Sequence, residues 1–116
     1  MSQELHELQT ALRRFAEERD WEQFHTPKNL AASVSIEAAE LLEHFQWLTD
    51  EQSSKLSPDR LEVVGREIAD VLIYLLQLSD KLGIDPIKAA QRKVEINAMK
   101  YPAEKSRGTM KKYTEL

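Results

Sequence analysis

Pro58-Asp-Arg-Leu-Glu-Val-Val-Gly-Arg-Glu67-Ile-Ala-Asp70-Val-Leu-Ile-Tyr74-Leu-Leu-Gln-Leu-Ser-Asp-Lys-Leu82 is the stretch on which the fold turns. Val64, Ile68, Val71, Leu75, Leu78 and Leu82 fall on one seam of a helix with 3.6 residues per turn. Leu61, Leu72, Ile73 and Leu76 widen that seam over most of the circumference. A helix that is apolar on several sides is buried on several sides. Ser57-Pro58 reads as its start, with Ser as N-cap and Pro in the first turn, and Gly83 as its stop. Two acids interrupt the apolar run, Glu67 and Asp70. Their i, i+3 spacing stacks both carboxylates on one face.

A second pair stands upstream, Glu37-Ala-Ala-Glu40. Thr26-Pro27 repeats the start signal, and the predicted helix runs from there to about Thr49. Glu37 falls on its apolar seam, in phase with Leu30 and between Val34 and Leu41. A carboxylate so placed loses solvation unless a positive partner meets it. Four acids on two packed helices also repel one another. A divalent cation held by oxygen ligands removes both difficulties, and Mg²⁺ takes substrate phosphate in its remaining positions. A single such pair on a solvated face would be unremarkable in a chain that is 31% charged. Two pairs, each inside an apolar run, point to a shared site.

Working outward, Leu5, Leu8, Leu12 and Phe15 make one stripe of a first helix over about 2–20. Trp21-Glu-Gln-Phe-His25 follows as a connector. Residues 50–57, Asp-Glu-Gln-Ser-Ser-Lys-Leu-Ser, read as a polar loop. Asp85-Pro86 opens a fourth helix over about 86–100, ended by Tyr101-Pro102. Lys100, Lys105, Arg107, Lys111 and Lys112 stand against Glu104 alone, so the tail from about 102 to 116 is basic. It is expected to be irregular, either a solvated terminus or an arm facing phosphate. Few glycines and few β-branched runs exclude a sheet. The expectation is one all-α domain over 1–116, a four-helix bundle type. Its third helix is too apolar for so short a chain to cover, so subunits should associate through helices 2 and 3.

Composition narrows the function. The net charge is −4 and the pI about 5.4, which disfavours a nucleic-acid polymer as partner. There is no cysteine, so no disulfide frame, thiolate nucleophile or thiolate metal site. The polar start Met1-Ser-Gln-Glu-Leu-His-Glu-Leu-Gln-Thr lacks a signal-peptide core, and no run reaches the ~20 apolar residues of a membrane span. A cytoplasmic protein is expected.

The candidate chemistry is metal-assisted work on a polyphosphate, with Mg²⁺ on Glu37, Glu40, Glu67 and Asp70. Trp21, Trp47 and Tyr74 offer rings to a flat base, although each would also serve as core or interface. Lys93 and Asn97, one turn apart on the fourth helix, could meet a phosphate and a sugar hydroxyl or base edge. A di-iron site needs Glu-x-x-His on two helices. His44 is preceded three residues earlier by Leu41, so that pattern fails and His44 reads as a surface or packing residue. The competing class is a non-catalytic helical oligomer, a nucleotide sensor or protein-interaction module.

The double motif Glu37-x-x-Glu40 and Glu67-x-x-Asp70 resembles that of the all-α MazG-like nucleoside triphosphate pyrophosphohydrolases. Further strings are similar to the dCTP pyrophosphatase group: Arg19-Asp-Trp-Glu-Gln-Phe-His25, Glu43-His-Phe-Gln-Trp47, Asp70-Val-Leu-Ile-Tyr74, Asn97, Lys100-Tyr-Pro102 and Lys112-Tyr-Thr-Glu-Leu116. The resemblance implies hydrolysis of a (deoxy)nucleoside triphosphate to the monophosphate and pyrophosphate, in cleansing of the nucleotide pool. It implies that the four acids hold Mg²⁺ and that Trp21, Trp47, Tyr74 and Asn97 line a nucleoside pocket. His25, Lys93, Tyr101, Lys112 and Tyr113 complete the candidate substrate-binding set. A homo-oligomer is implied too, a dimer or a dimer of dimers with pockets between subunits. Leu12 stands where animal members of the group carry a pocket histidine, which bears on base preference. Deoxycytidine triphosphate is the first expectation, with dATP or a modified pyrimidine triphosphate behind it.

Overall fold

A computed structural model describes residues 1–116, and every regular element in it is helical. The all-α expectation holds. The elements are α1 (Gln3–Glu18), a 3₁₀ turn (Glu22–Phe24), α2 (Pro27–Glu43), α3 (Asp50–Ser53), α4 (Pro58–Leu82), α5 (Pro86–Lys100), α6 (Ala103–Ser106) and a closing 3₁₀ turn (Tyr113–Glu115).

The starts are chemically specified. Thr26 accepts a hydrogen bond from the Asn29 amide at 3.2 Å, and Ser57 accepts one from the Arg60 amide at 3.2 Å. Each is followed by proline in the first turn, where a missing amide proton costs nothing. Asp85 accepts from the amides of Ile87 and Lys88 at the head of α5. Gly83 closes α4 with φ of 66°, a left-handed conformation that glycine adopts without strain.

Two boundaries differ from the sequence reading. The second helix ends at Glu43 rather than near Thr49. The chain tightens into turns, with the Phe45 amide on the Leu42 carbonyl and the Leu48 amide on the Phe45 carbonyl, both at 2.9 Å. Thr49 then caps a new helix, α3, inside the segment read as loop. Its side chain accepts from the Gln52 amide while the Gln52 side chain accepts from the Thr49 amide, a reciprocal capping box. The tail read as irregular carries α6 and the closing turn. Tyr113 packs edge-on against Tyr101 with centroids 6.0 Å apart, and the Lys100 ammonium lies 5.0 Å from the Tyr113 ring centre.

The residues group into two compact units, Ser2–Ile84, and Asp85–Leu116 with Met1. In the first, α2 packs along α4, and α1 packs against α4. Ala16, Leu30, Val64 and Leu76 are its buried apolar residues. Gln9 is buried among them and donates to the Leu76 carbonyl at 3.3 Å. Arg13 grips Asp80 through two hydrogen bonds of 2.7 and 2.5 Å, a bidentate tie between α1 and α4.

The apolar surface of α4 divides in a way its sequence pattern did not show. Val64, Val71 and Leu78 lie on the covered side, but Leu61, Ile68, Leu72, Leu75 and Leu82 are exposed. Leu76, which the sequence pattern groups with Leu61, Leu72 and Ile73, belongs to the core of the chain. No helix is long and apolar enough to cross a membrane.

Candidate active site

Two helices bring the acids together. Glu37 comes from α2, and Glu67 and Asp70 come from the middle of α4. Each of the three offers a carboxylate oxygen within 4.8 Å of the other two. Glu40, one turn beyond Glu37, lies outside this tight group but close enough to act on Glu37. At an effective dielectric constant of about 20, two full charges 4.8 Å apart repel by roughly 3 kcal/mol.

Protonation of Glu37 would relieve this repulsion. Burial first, then a proton shared with Glu40 and the charges of Glu40, Asp70 and Glu67, push the Glu37 carboxyl up to about 7. Oε2 of Glu37 and Oε2 of Glu67 are both buried without a hydrogen-bond partner. Buried carboxylate oxygens that meet no donor are costly, and hard oxygen donors are what Mg²⁺ or Ca²⁺ require. The donor set therefore fits a divalent cation.

A pH dependence follows. The folded Glu37 keeps its proton above 4.5, where the unfolded chain has lost it. That contribution to stability is complete below about 4.5 and disappears as pH rises through about 7. The melting temperature of the metal-free protein is expected to decline over this interval, and the Glu37→Gln variant to show a flatter profile. A divalent cation should reverse the trend, because it binds the deprotonated ligands. Identical melting profiles for the two proteins would refute the assignment.

His44 was passed over on sequence and belongs to this site. Its Nε2 lies 3.5 Å from Glu67 Oε1, and both side chains are mostly covered. One oxygen of Glu67 thus faces the imidazole, while the other is buried without a hydrogen-bond partner. The signal was present: Glu37, Glu40 and His44 are spaced i, i+3, i+7, one face of α2 extended to its C-cap.

Beside the acids is a cavity of about 290 Å³ lined by Leu12, Phe15, Trp21, His25, Tyr74 and Gln77, with Ile73 and Asp70 in its wall. Trp21 meets Phe15 edge-on at 5.6 Å and His25 edge-on at 6.4 Å. These contacts hold the connector against α1. Among the predicted substrate residues, Trp21, His25 and Tyr74 thus share a pocket with Asp70, the one carboxylate common to cluster and cavity. Trp47 is elsewhere, 86% exposed in the turn after α2. Lys93 and Asn97 are exposed on α5 in the second unit, with Tyr101, Lys112 and Tyr113. Leu12 lines the cavity, as its alignment with a pocket histidine implied, and so does Gln77, which sequence reasoning did not put among the binding residues.

The chain is similar to known proteins over most of its length. Residues 32–116 match the model of the MazG-like family. The chain is 44% identical over 104 residues to human dCTP pyrophosphatase 1 and 42% identical over 104 residues to its bovine counterpart. These alignments cover 88% of this chain, but the chain spans only about three fifths of the length of those relatives, 61% and 62%. A crystal structure of a pyrophosphatase from Archaeoglobus fulgidus superposes with a TM-score of 0.82 at 50% identity, covering 88% of this chain and 95% of that one. With a cluster of three carboxylates on two packed helices and a family match over most of its length, this chain belongs to the MazG-like family.

Proposed function

We propose that the protein hydrolyses a (deoxy)nucleoside triphosphate to the monophosphate and pyrophosphate. The observation that carries this reading is the sharing of Asp70 between the carboxylate cluster and the aromatic cavity. Polyphosphate and base then have adjoining places on one helix. Mg²⁺ held by Glu37, Glu67 and Asp70, with Glu40 beside them, would neutralise phosphate charge and activate water. The chain's own residues do the rest. Glu37 would hold a bound cation in its deprotonated form, and His44 stands 3.5 Å from one oxygen of Glu67. Trp21, His25 and Tyr74 enclose the nucleoside and keep water from it. The named relatives make dCTP the first substrate to test, with dATP and modified pyrimidine triphosphates next. We propose a role in clearing the nucleotide pool, in the cytoplasm.

The exposed residues Leu61, Ile68, Leu72, Leu75 and Leu82 support self-association. They recur at spacings of seven, four, three and seven, the rhythm of a helix seam that packs on another helix. Ile36 and Leu42 of α2 are each 58% exposed. We propose a homo-oligomer joined through α2 and α4, a dimer or a dimer of dimers, with the exposed Trp47 covered in the assembly.

The direct test is a panel of triphosphates with Mg²⁺, scoring pyrophosphate against orthophosphate. Pyrophosphate with the nucleoside monophosphate is expected. Orthophosphate appearing in step with a nucleoside diphosphate would refute the proposal. Trp21→Ala should weaken substrate use about tenfold or more, since stacking of one base on an aromatic ring is worth roughly 1–3 kcal/mol. The Mg²⁺ requirement should persist. Unchanged relative rates across the bases would reduce Trp21 to a packing residue.

A further inference from the structure

We infer that Gln77 reads the edge of the base, and that it selects bases carrying an exocyclic amino group. This rests on the nucleotide reading of the cavity proposed above. Asp70, Ile73, Tyr74 and Gln77 follow one another at i, i+3, i+4 and i+7 on α4, and all four line the same cavity. Seven residues of helix advance about 10.5 Å. A nucleotide whose phosphates lie at Asp70 and whose ring lies beside Tyr74 reaches about that far with the outer edge of its base.

The other walls of this cavity carry little that could distinguish one base from another. Leu12, Phe15, Ile73 and the faces of Trp21 and Tyr74 offer shape and stacking, which every base can use. His25, Tyr74 and Trp21 carry polar groups as well, but of the side chains lining the cavity only Gln77 holds a buried polar atom without a hydrogen-bond partner. Gln77 is the one amide in the wall. Its Oε1 is buried and has no hydrogen-bond partner in the chain. A buried acceptor left without a donor destabilises the protein, so its retention calls for a donor from outside the chain. The terminal torsion of glutamine is soft, so the amide can turn its oxygen to the cavity without moving α4.

The missing partner is a donor, and this sets the ligand class. Cytosine presents an N4 amino group at its edge and adenine an N6 amino group, whereas thymine presents the O4 acceptor there. An amino group satisfies Gln77 Oε1. A keto oxygen could be met only by turning the amide over to present its Nε2–H, which leaves Oε1 buried and unpaired as before.

Binding of monophosphates tests this without requiring turnover. Calorimetry on the full chain with Mg²⁺ should show dCMP bound about tenfold or more tightly than dUMP, the discrimination expected of an edge-reading side chain. Gln77→Leu should bring the two affinities together, chiefly by weakening dCMP. The same variant should melt no lower than wild type, because an unpaired polar group has been removed. Gln77→Glu keeps an acceptor in place and should keep the preference for dCMP, which a purely space-filling role would not require. Three results would overturn the inference: no binding of either nucleotide, a wild-type preference for dUMP, or the same ratio in Gln77→Leu as in wild type. Pyrophosphate release measured on the same preparations separates the two proposals. A Gln77-dependent preference without any release defeats the hydrolase and upholds the base reader. Release whose base ranking ignores Gln77 does the reverse.

Discussion

Asp70→Asn is expected to cut pyrophosphate release at saturating Mg²⁺ by a factor on the order of 10² or more, and Glu37→Gln to do the same. Both changes keep side-chain volume and remove one charged oxygen from a group whose members lie within 4.8 Å. Losing a single stabiliser of developing charge in a preorganised site has an effect of that size. Stability should move the other way. Glu37 is driven up to about 7 by burial and by the neighbouring acids, so an uncharged amide relieves repulsion in the metal-free protein. The melting temperature without metal should equal or exceed that of wild type, and the rise on adding Mg²⁺ should shrink. Turnover and melting with and without Mg²⁺ measure both. Near wild-type turnover in the two variants would end the metal-site reading, whatever the family likeness.

Placing two charges on the outer seam of α4, Leu72→Glu with Leu75→Glu, is expected to dissociate the assembly. Each of these leucines is 43% exposed in the single chain, so the change spares the chain's own core. In an oligomer both would sit in an apolar helix seam, where an unpaired carboxylate is strongly disfavoured. Light scattering at micromolar concentration should give a multiple of 13.4 kDa for the wild type and the single-chain mass for the variant. Helicity would fall as well if the small core depends on association. A wild-type mass of 13.4 kDa would refute self-association outright.

Much of the fold was legible because its signals are local. Thr26-Pro27, Ser57-Pro58, Asp85-Pro86 and Gly83 act through hydrogen bonds and backbone angles within a few residues. The carboxylate pairs were legible for the same reason, since i, i+3 spacing on a helix is a purely local fact. The end of α2 was misplaced because apolar residues continue through Phe45-Gln-Trp-Leu48. The capping box of Thr49 and Gln52, a competing local signal, overrode them.

By itself the sequence determined that the chain is helical, where most helices start, and which acids share a helical face. Only the tertiary structure decided which of them meet. Packing of α2 on α4 gathers Glu37, Glu67 and Asp70 and leaves Glu40 at the margin. It also sets His44 against Glu67, while α1 and the connector form the cavity around Trp21 and Tyr74 with α4, and Trp47 stands exposed. The apolar ring around α4 shows why. Periodicity marks which residues avoid water, but which neighbour covers each one depends on how the helices cross, and that is a property of the packed chain.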